Sequence, residues 1–149
     1  MRWIMKKMNA ISRCQAIYRS ENTSCEELKS VHHTFILTVA KEPGLSQDQI
    51  AERVCMDKSG VARALNYLEE RGYVRREVSK QDKRVLQVYP TEQLEAVLPH
   101  IKTISRNWNE ALTAEFTEEE MDIFVDVLSR MEARAKSLAS QSKEGGERP

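Results

Sequence analysis

At 149 residues the chain is sized for one domain, or for a small module with dimerisation arms. It is 40% hydrophobic and 31% charged, ordinary for a soluble globular protein, and no apolar run approaches the ~20 residues that span a bilayer. The net charge of zero is unevenly spread. Met56 to Tyr89 carries eight Lys/Arg against five Asp/Glu, Pro90 to Pro149 seven against twelve, and the first 24 residues five against one. A local positive face can steer a polyanion even when the total is neutral.

Met1 to Met8 is basic and partly apolar but has neither the hydrophobic core nor the cleavage site of a secretory signal. The cysteines Cys14, Cys25 and Cys55 form no CxxC pair, and an odd number does not suggest a disulfide framework. A cytoplasmic protein is expected.

Ile4, Met8, Ile11 and Tyr18 recur at helical spacing, with Cys14 and Ile17 flanking them, so residues 3–20 read as an amphipathic helix. Ser24 with Glu27 matches a capping box and predicts a second helix, striped by Leu28, Val31, Phe35 and Val39 and ended by Pro43-Gly44. Ser46 with Gln49 opens a short helix whose Ile50 and Val54 face inward. After a turn at Cys55-Met56, Asp57 caps a helix that runs to about Arg71 and stops at Gly72. Tyr73–Val78 and Arg84–Tyr89 favour strands around the polar loop 79–83, which together read as a hairpin.

From Pro90-Thr91 a long helix carries Leu94, Val97, Leu98, Ile101, Ile104, Trp108 and Leu112, and Pro99 is expected to kink it. Thr117 with Glu120 caps a last helix whose Met121, Phe124, Leu128, Met131, Ala135 and Leu138 form a heptad-like seam. The predicted fold is mainly α with a small β-hairpin wing. A winged helix-turn-helix core (23–91) lies between an N-terminal dimerisation helix (1–22) and C-terminal dimerisation helices (92–139), with a disordered tail (140–149). The terminal helices carry more apolar surface than so small a core can cover, and a symmetric homodimer would bury it.

The helix from Lys58 to Arg71 divides as a groove-reading helix must. Val61, Leu65 and Leu68 fall on one side; Ser59, Arg63, Asn66 and Glu70 fall on the other, with Tyr67 beside them. Arg63 and Asn66 are chemically suited to guanine and adenine, and Lys58 and Ser59, at the helix start, to phosphate. In the hairpin, Arg75, Arg76, Lys80, Lys83 and Arg84 surround one acid, Asp82, which is placed to hold Arg84 extended for a minor groove. The plainer alternatives are a solvated helix face and a charged turn that blunts strand edges.

Residues Pro43 to Thr91 resemble the core of MarR-family regulators, most specifically in the Leu-Glu-x-x-Gly-Tyr-Val-x-Arg run (Leu68 to Arg76) and the Asp-x-Arg of the wing (Asp82, Arg84). The resemblance implies an obligate homodimer on a pseudo-palindromic double-stranded DNA site. Its recognition helices would enter successive major grooves and its wing arginine the minor groove. It also implies a nucleoid-associated repressor released by a small ligand or by thiol oxidation. Where the family often has Thr-x-x-Gly after the wing, this chain reads Thr91-Glu92-Gln93-Leu94.

For a ligand, Tyr18, His32, His33, Phe35 and Trp108 are the candidates, although adjacent histidines diverge by about 100° on a helix and do not easily share one site. Cys14 is the redox candidate, with a buried structural cysteine the favoured reading. Ligand spacing for a metal is lacking, no cofactor is expected, and neither nucleophile–base pairs nor a phosphate-binding glycine loop argues for an enzyme. The rival reading is a winged helix that docks protein, which would need exposed apolar anchors on the same surface.

Overall fold

The computed structural model describes residues 3–144. In chain order these form α1 (Ile4–Asn22), α2 (Ser30–Lys41), β1 (Leu45–Ser46), α3 (Gln47–Val54), α4 (Lys58–Glu70), β2 (Val74–Val78), β3 (Leu86–Pro90), α5 (Glu92–Thr113) and α6 (Glu118–Glu144). The chain divides into two compact units, one ending at Trp108 and the other beginning at Asn109.

Local signals start and stop the helices around the site. Ser46 Oγ accepts from Gln49 N (3.2 Å) while Gln49 Oε1 accepts from Ser46 N (2.9 Å), a complete capping box for α3. Cys55 ends that helix in the left-handed region at φ 54°, turning the chain so that Asp57 can accept from Gly60 N (2.8 Å) and cap α4. Gly72 leaves α4 at φ +80°, where a Cβ would stand 2.9 Å from Gln93 Oε1.

The inward stripes of these helices meet in one core. Phe35, Ile36 and Val39 of α2, Ile50 of α3, and Val61, Leu65 and Leu68 of α4 are fully enclosed. Val74 and Val88 of the sheet and Leu94 and Ile101 of α5 join them. The sheet is antiparallel in the order β1-β3-β2, with Leu45 and Arg76 both opposite Val88. The hairpin was legible in sequence. The two-residue β1, which pairs with β3 as a third strand, was not anticipated.

Two expectations need correction. The second helix starts at Ser30, not Ser24. Residues 25–28 instead close a turn through Leu28 N to Cys25 O (3.1 Å), which buries Leu28, and the Glu27 carbonyl accepts from Tyr67 Oη (2.7 Å). A helix begun at Ser24 would commit that carbonyl to Val31 N. The last helix also runs past residue 139 to Glu144, with Ser140 and Ser142 returning their hydroxyls to carbonyls four residues back. The remainder of the expected tail, 145–149, lies outside the described residues. Pro99 lies inside α5, which continues through it from Glu92 to Thr113.

In the second unit Thr117 and Glu120 form the expected reciprocal cap of α6 (3.2 and 2.9 Å). Along the seam Met121, Leu128 and Met131 are half-buried, while Phe124, Ala135 and Leu138 are exposed. In the first unit α1 contributes no buried residue and exposes Ile4, Met5, Ile11 and Ile17, and Trp3 just before it is exposed as well.

Candidate nucleic-acid interface

Helix α4 presents the divided surface read from its sequence. Val61, Leu65 and Leu68 are enclosed, whereas Ser59, Arg63, Asn66 and Glu70 are exposed. The helix is held from below by the core and at its start by Asp57, so the exposed arc is rigidly supported.

The side chains on that arc differ in how free they are. Lys58 Nζ lies 3.2 Å from Asp48 Oδ2, both well exposed, a pair weak enough to be exchanged for a phosphate. Ser59 Oγ donates to Asp57 Oδ1 (2.7 Å), and with the Gly60 amide it holds the Asp57 carboxyl below the usual range. Ser59 is therefore part of the cap, and the Gly60 amide is already taken by a carboxylate.

Tyr67 is not on the exposed arc. Its hydroxyl is spent on Glu27 O, its ring stacks on His32 at 4.4 Å between centroids, and the Arg71 guanidinium lies 3.6 Å over its centroid. These contacts fasten α4 to the segment before α2, the position a helix of 3.6 residues per turn gives a residue between the buried and exposed arcs.

Asn66 is engaged by Arg76, which the sequence places only among the hairpin cations. The Arg76 side chain is only 14% exposed; its Nη1 reaches Asn66 Oδ1 (2.9 Å) and Glu69 Oε2 (2.7 Å), and its Nη2 reaches Gln47 Oε1 (3.5 Å). Strand alternation was the available signal. Arg75 and Arg76 must point to opposite faces of β2, so only one of them can belong to the exposed wing.

Arg75 is the outward one, paired with Glu77 and 4.9 Å from the Tyr89 ring centroid. Ser79 Oγ accepts from Gln81 N (3.2 Å) and Asp82 N (3.4 Å), and Ser79 N donates to Val85 O (2.8 Å), which shapes the loop. Lys80 and Lys83 are exposed. Arg84, with its side chain 90% exposed, donates from Nε to Asp82 Oδ1 (3.2 Å) and from Nη2 to Oδ2 (3.3 Å). These bonds and the Arg84 backbone amide keep the Asp82 carboxyl below its ordinary range. The acid of the wing thus holds its arginine in an extended fork.

The five ligand candidates do not converge. Phe35 is in the core, and His32 faces Tyr67 and accepts from Lys29 N (3.1 Å). His33 turns the other way, its Nε2 2.9 Å from Thr23 Oγ1. Burial, then the charge of Arg19, then His100 and His32, lowers its pKa to about 4. Tyr18 packs on Trp108 with centroids 5.3 Å apart. Arg19 Nε of α1, His33 Nδ1 of α2 and Ser105 Oγ of α5 are buried and find no hydrogen-bond partner among the described residues. Cys14, favoured as buried, is exposed because α1 buries none of its side chains in this chain. Among the described residues no cluster of three metal-ligating side chains occurs, and no helix is long and apolar enough to cross a membrane.

The MarR family model matches residues 27–85, the segment that holds α2, the helix-turn-helix and most of the wing. That segment is similar to the MarR family. The chain is also similar to an uncharacterized HTH-type transcriptional regulator, YybA, of Bacillus subtilis (strain 168), 25% identical over 122 residues, covering 82% of this chain and 81% of that one. Among solved structures, a MarR transcriptional regulator from Methanosarcina mazei Go1 superposes with a TM-score of 0.83 at 25% identity, over 91% of this chain and 98% of its own. A MarR-family regulator from Listeria monocytogenes, complexed with 26mer DNA, shares the fold at a TM-score of 0.88 and 21% identity, over 100% and 99% of the two chains.

Proposed function

We propose that this protein is a MarR-family, sequence-specific double-stranded DNA-binding transcriptional regulator, acting as a homodimer on a pseudo-palindromic site and released as a repressor by a small ligand or oxidant. The observation that carries the reading is the supported arc of α4, where Arg63 and Asn66 stand exposed on a helix capped and packed to hold them, with Arg84 braced by Asp82 on the wing. Arg63 would read a base edge in the major groove, Arg84 would enter the minor groove, and Lys58, Arg75, Lys80 and Lys83 would lie along phosphates. The exposed apolar side chains of α1 and α6 support the homodimer. A nucleoid-associated, cytoplasmic location follows from the same reading.

Protein docking is the weaker alternative. It needs an apolar anchor on the arc, and Tyr67, the one aromatic candidate, is occupied by Glu27, His32 and Arg71. For the effector, the three unpartnered polar atoms and the uncompensated Arg19 favour a small anion among α1, α2 and α5 of the first unit.

Selection of duplexes from a randomised pool tests the reading. An inverted repeat with half-site centres about one helical turn apart is expected. Arg63→Ala should cost roughly 1–3 kcal/mol at the selected site and flatten preference at one position, whereas Arg84→Ala should weaken binding more evenly across sequences. Unchanged DNA binding in both variants would remove the assigned interface. Challenge with peroxide in Cys14→Ser separates release by oxidant from release by ligand.

A further inference from the structure

Asn66 is not free to read DNA as an unrestrained asparagine would. A guanidinium carries only donors, so the amide atom that faces Arg76 at 2.9 Å has to be the carbonyl oxygen. The orientation of the Asn66 amide is thereby fixed by chemistry. Arg76 is itself held: Glu69 accepts from the same nitrogen at 2.7 Å, and Gln47, the first residue of α3, from the other at 3.5 Å. One side chain on the wing's first strand thus ties together α3, α4 and β2. With Arg76 largely buried and Asn66 exposed, Oδ1 is turned back against the protein and the Nδ2 hydrogens are left for the solvent side.

That orientation has a consequence for base choice. The usual asparagine–adenine pair uses both amide atoms, Oδ1 accepting from adenine N6 and Nδ2 donating to N7. With one Oδ1 lone pair on Arg76 and the atom turned inward, the amide faces the groove with its Nδ2 hydrogens; adenine offers them N7 alone, and its N6–H meets them donor against donor. Guanine offers two acceptors there, N7 and O6. We propose that Arg76 is a positioning residue that sets Asn66 as a hydrogen-bond donor, so that the recognition helix takes guanine, not adenine, at the base Asn66 faces. The inference rests on the DNA-binding reading above.

The test is duplex selection followed by affinity measurement with full-length protein at one fixed salt concentration. Asn66→Ala, a change on an exposed position, identifies the base pair by flattening preference there alone. The wild-type protein is expected to select guanine at that position. Arg76→Met should shift the guanine-to-adenine ratio toward adenine by roughly five- to 150-fold, the range a good side-chain–base pair supplies, with the Arg63 position unchanged. Arg76→Lys, which keeps a donor, should retain guanine. A wild-type preference for adenine at that position overturns the inference whatever the variants do, as does an unchanged ratio in a folded Arg76→Met protein. Asn66→Ala altering no position also overturns it while leaving the DNA-binding reading intact. Absence of any selected motif from the wild type removes both.

Discussion

His33 makes stability depend on pH in a calculable way. Its ring is fully enclosed, its Nε2 meets Thr23 Oγ1, and the positive charge of Arg19 lies on the same side of α2. Burial and that charge disfavour the imidazolium, lowering the pKa from 6.5 to about 4. The unfolded chain therefore binds a proton at a pH where the fold does not. The stability conferred by the neutral ring is complete above pH 6.5 and is lost as pH falls from there through about 4. Roughly 2.5 pH units at ~1.4 kcal/mol each put the loss at about 3–4 kcal/mol at most. His33→Gln cannot titrate and should lack this component. Urea unfolding of both proteins between pH 7.5 and 4, at one protein concentration so that any dimer linkage is constant, measures it. His32, also lowered by burial and by Lys29 and Arg71, gives both proteins the same background slope. Parallel curves for wild type and variant would show that His33 is protonated in the fold and refute the argument.

Asp57→Ala removes the acceptor for Gly60 N and the partner of Ser59, and should cost about 1 kcal/mol in thermal unfolding. Leu65→Ala opens a cavity under the exposed arc of α4 where the side chain is fully enclosed, costing roughly 2–5 kcal/mol by denaturant titration. Gly72→Ala forces a Cβ into left-handed backbone and against Gln93 Oε1, and should lower the melting temperature by the equivalent of at least about 1 kcal/mol.

What could be read from the sequence was what is local. The caps Ser46–Gln49, Asp57–Gly60 and Thr117–Glu120 each close within three residues, and the stripe of α4 repeats within one helix. The Ser24–Glu27 pattern is just as good locally, yet the segment folds as a turn whose Glu27 carbonyl accepts from Tyr67, 40 residues on. Arg76 was counted as one more wing cation because its role needs Gln47, Asn66 and Glu69 from two other elements. The strand β1 has only two residues, too few for any periodicity to show. The exposed polar face of α4 was legible; the bonds that constrain it were not.

Ser46 is the final residue of β1, paired across from Gln87, and also the cap of α3. Gly44 on the other side of Leu45 donates to Val88 O (2.8 Å) and accepts from Gln87 Nε2 (3.0 Å). The root of the wing and the entry to the helix-turn-helix are thus welded through a three-residue splice. A tug on the wing tip is delivered to α3 as leverage instead of being absorbed by a slack loop. In hydrogen exchange, the amides of β3 and of the first turn of α3 should open as one cooperative unit.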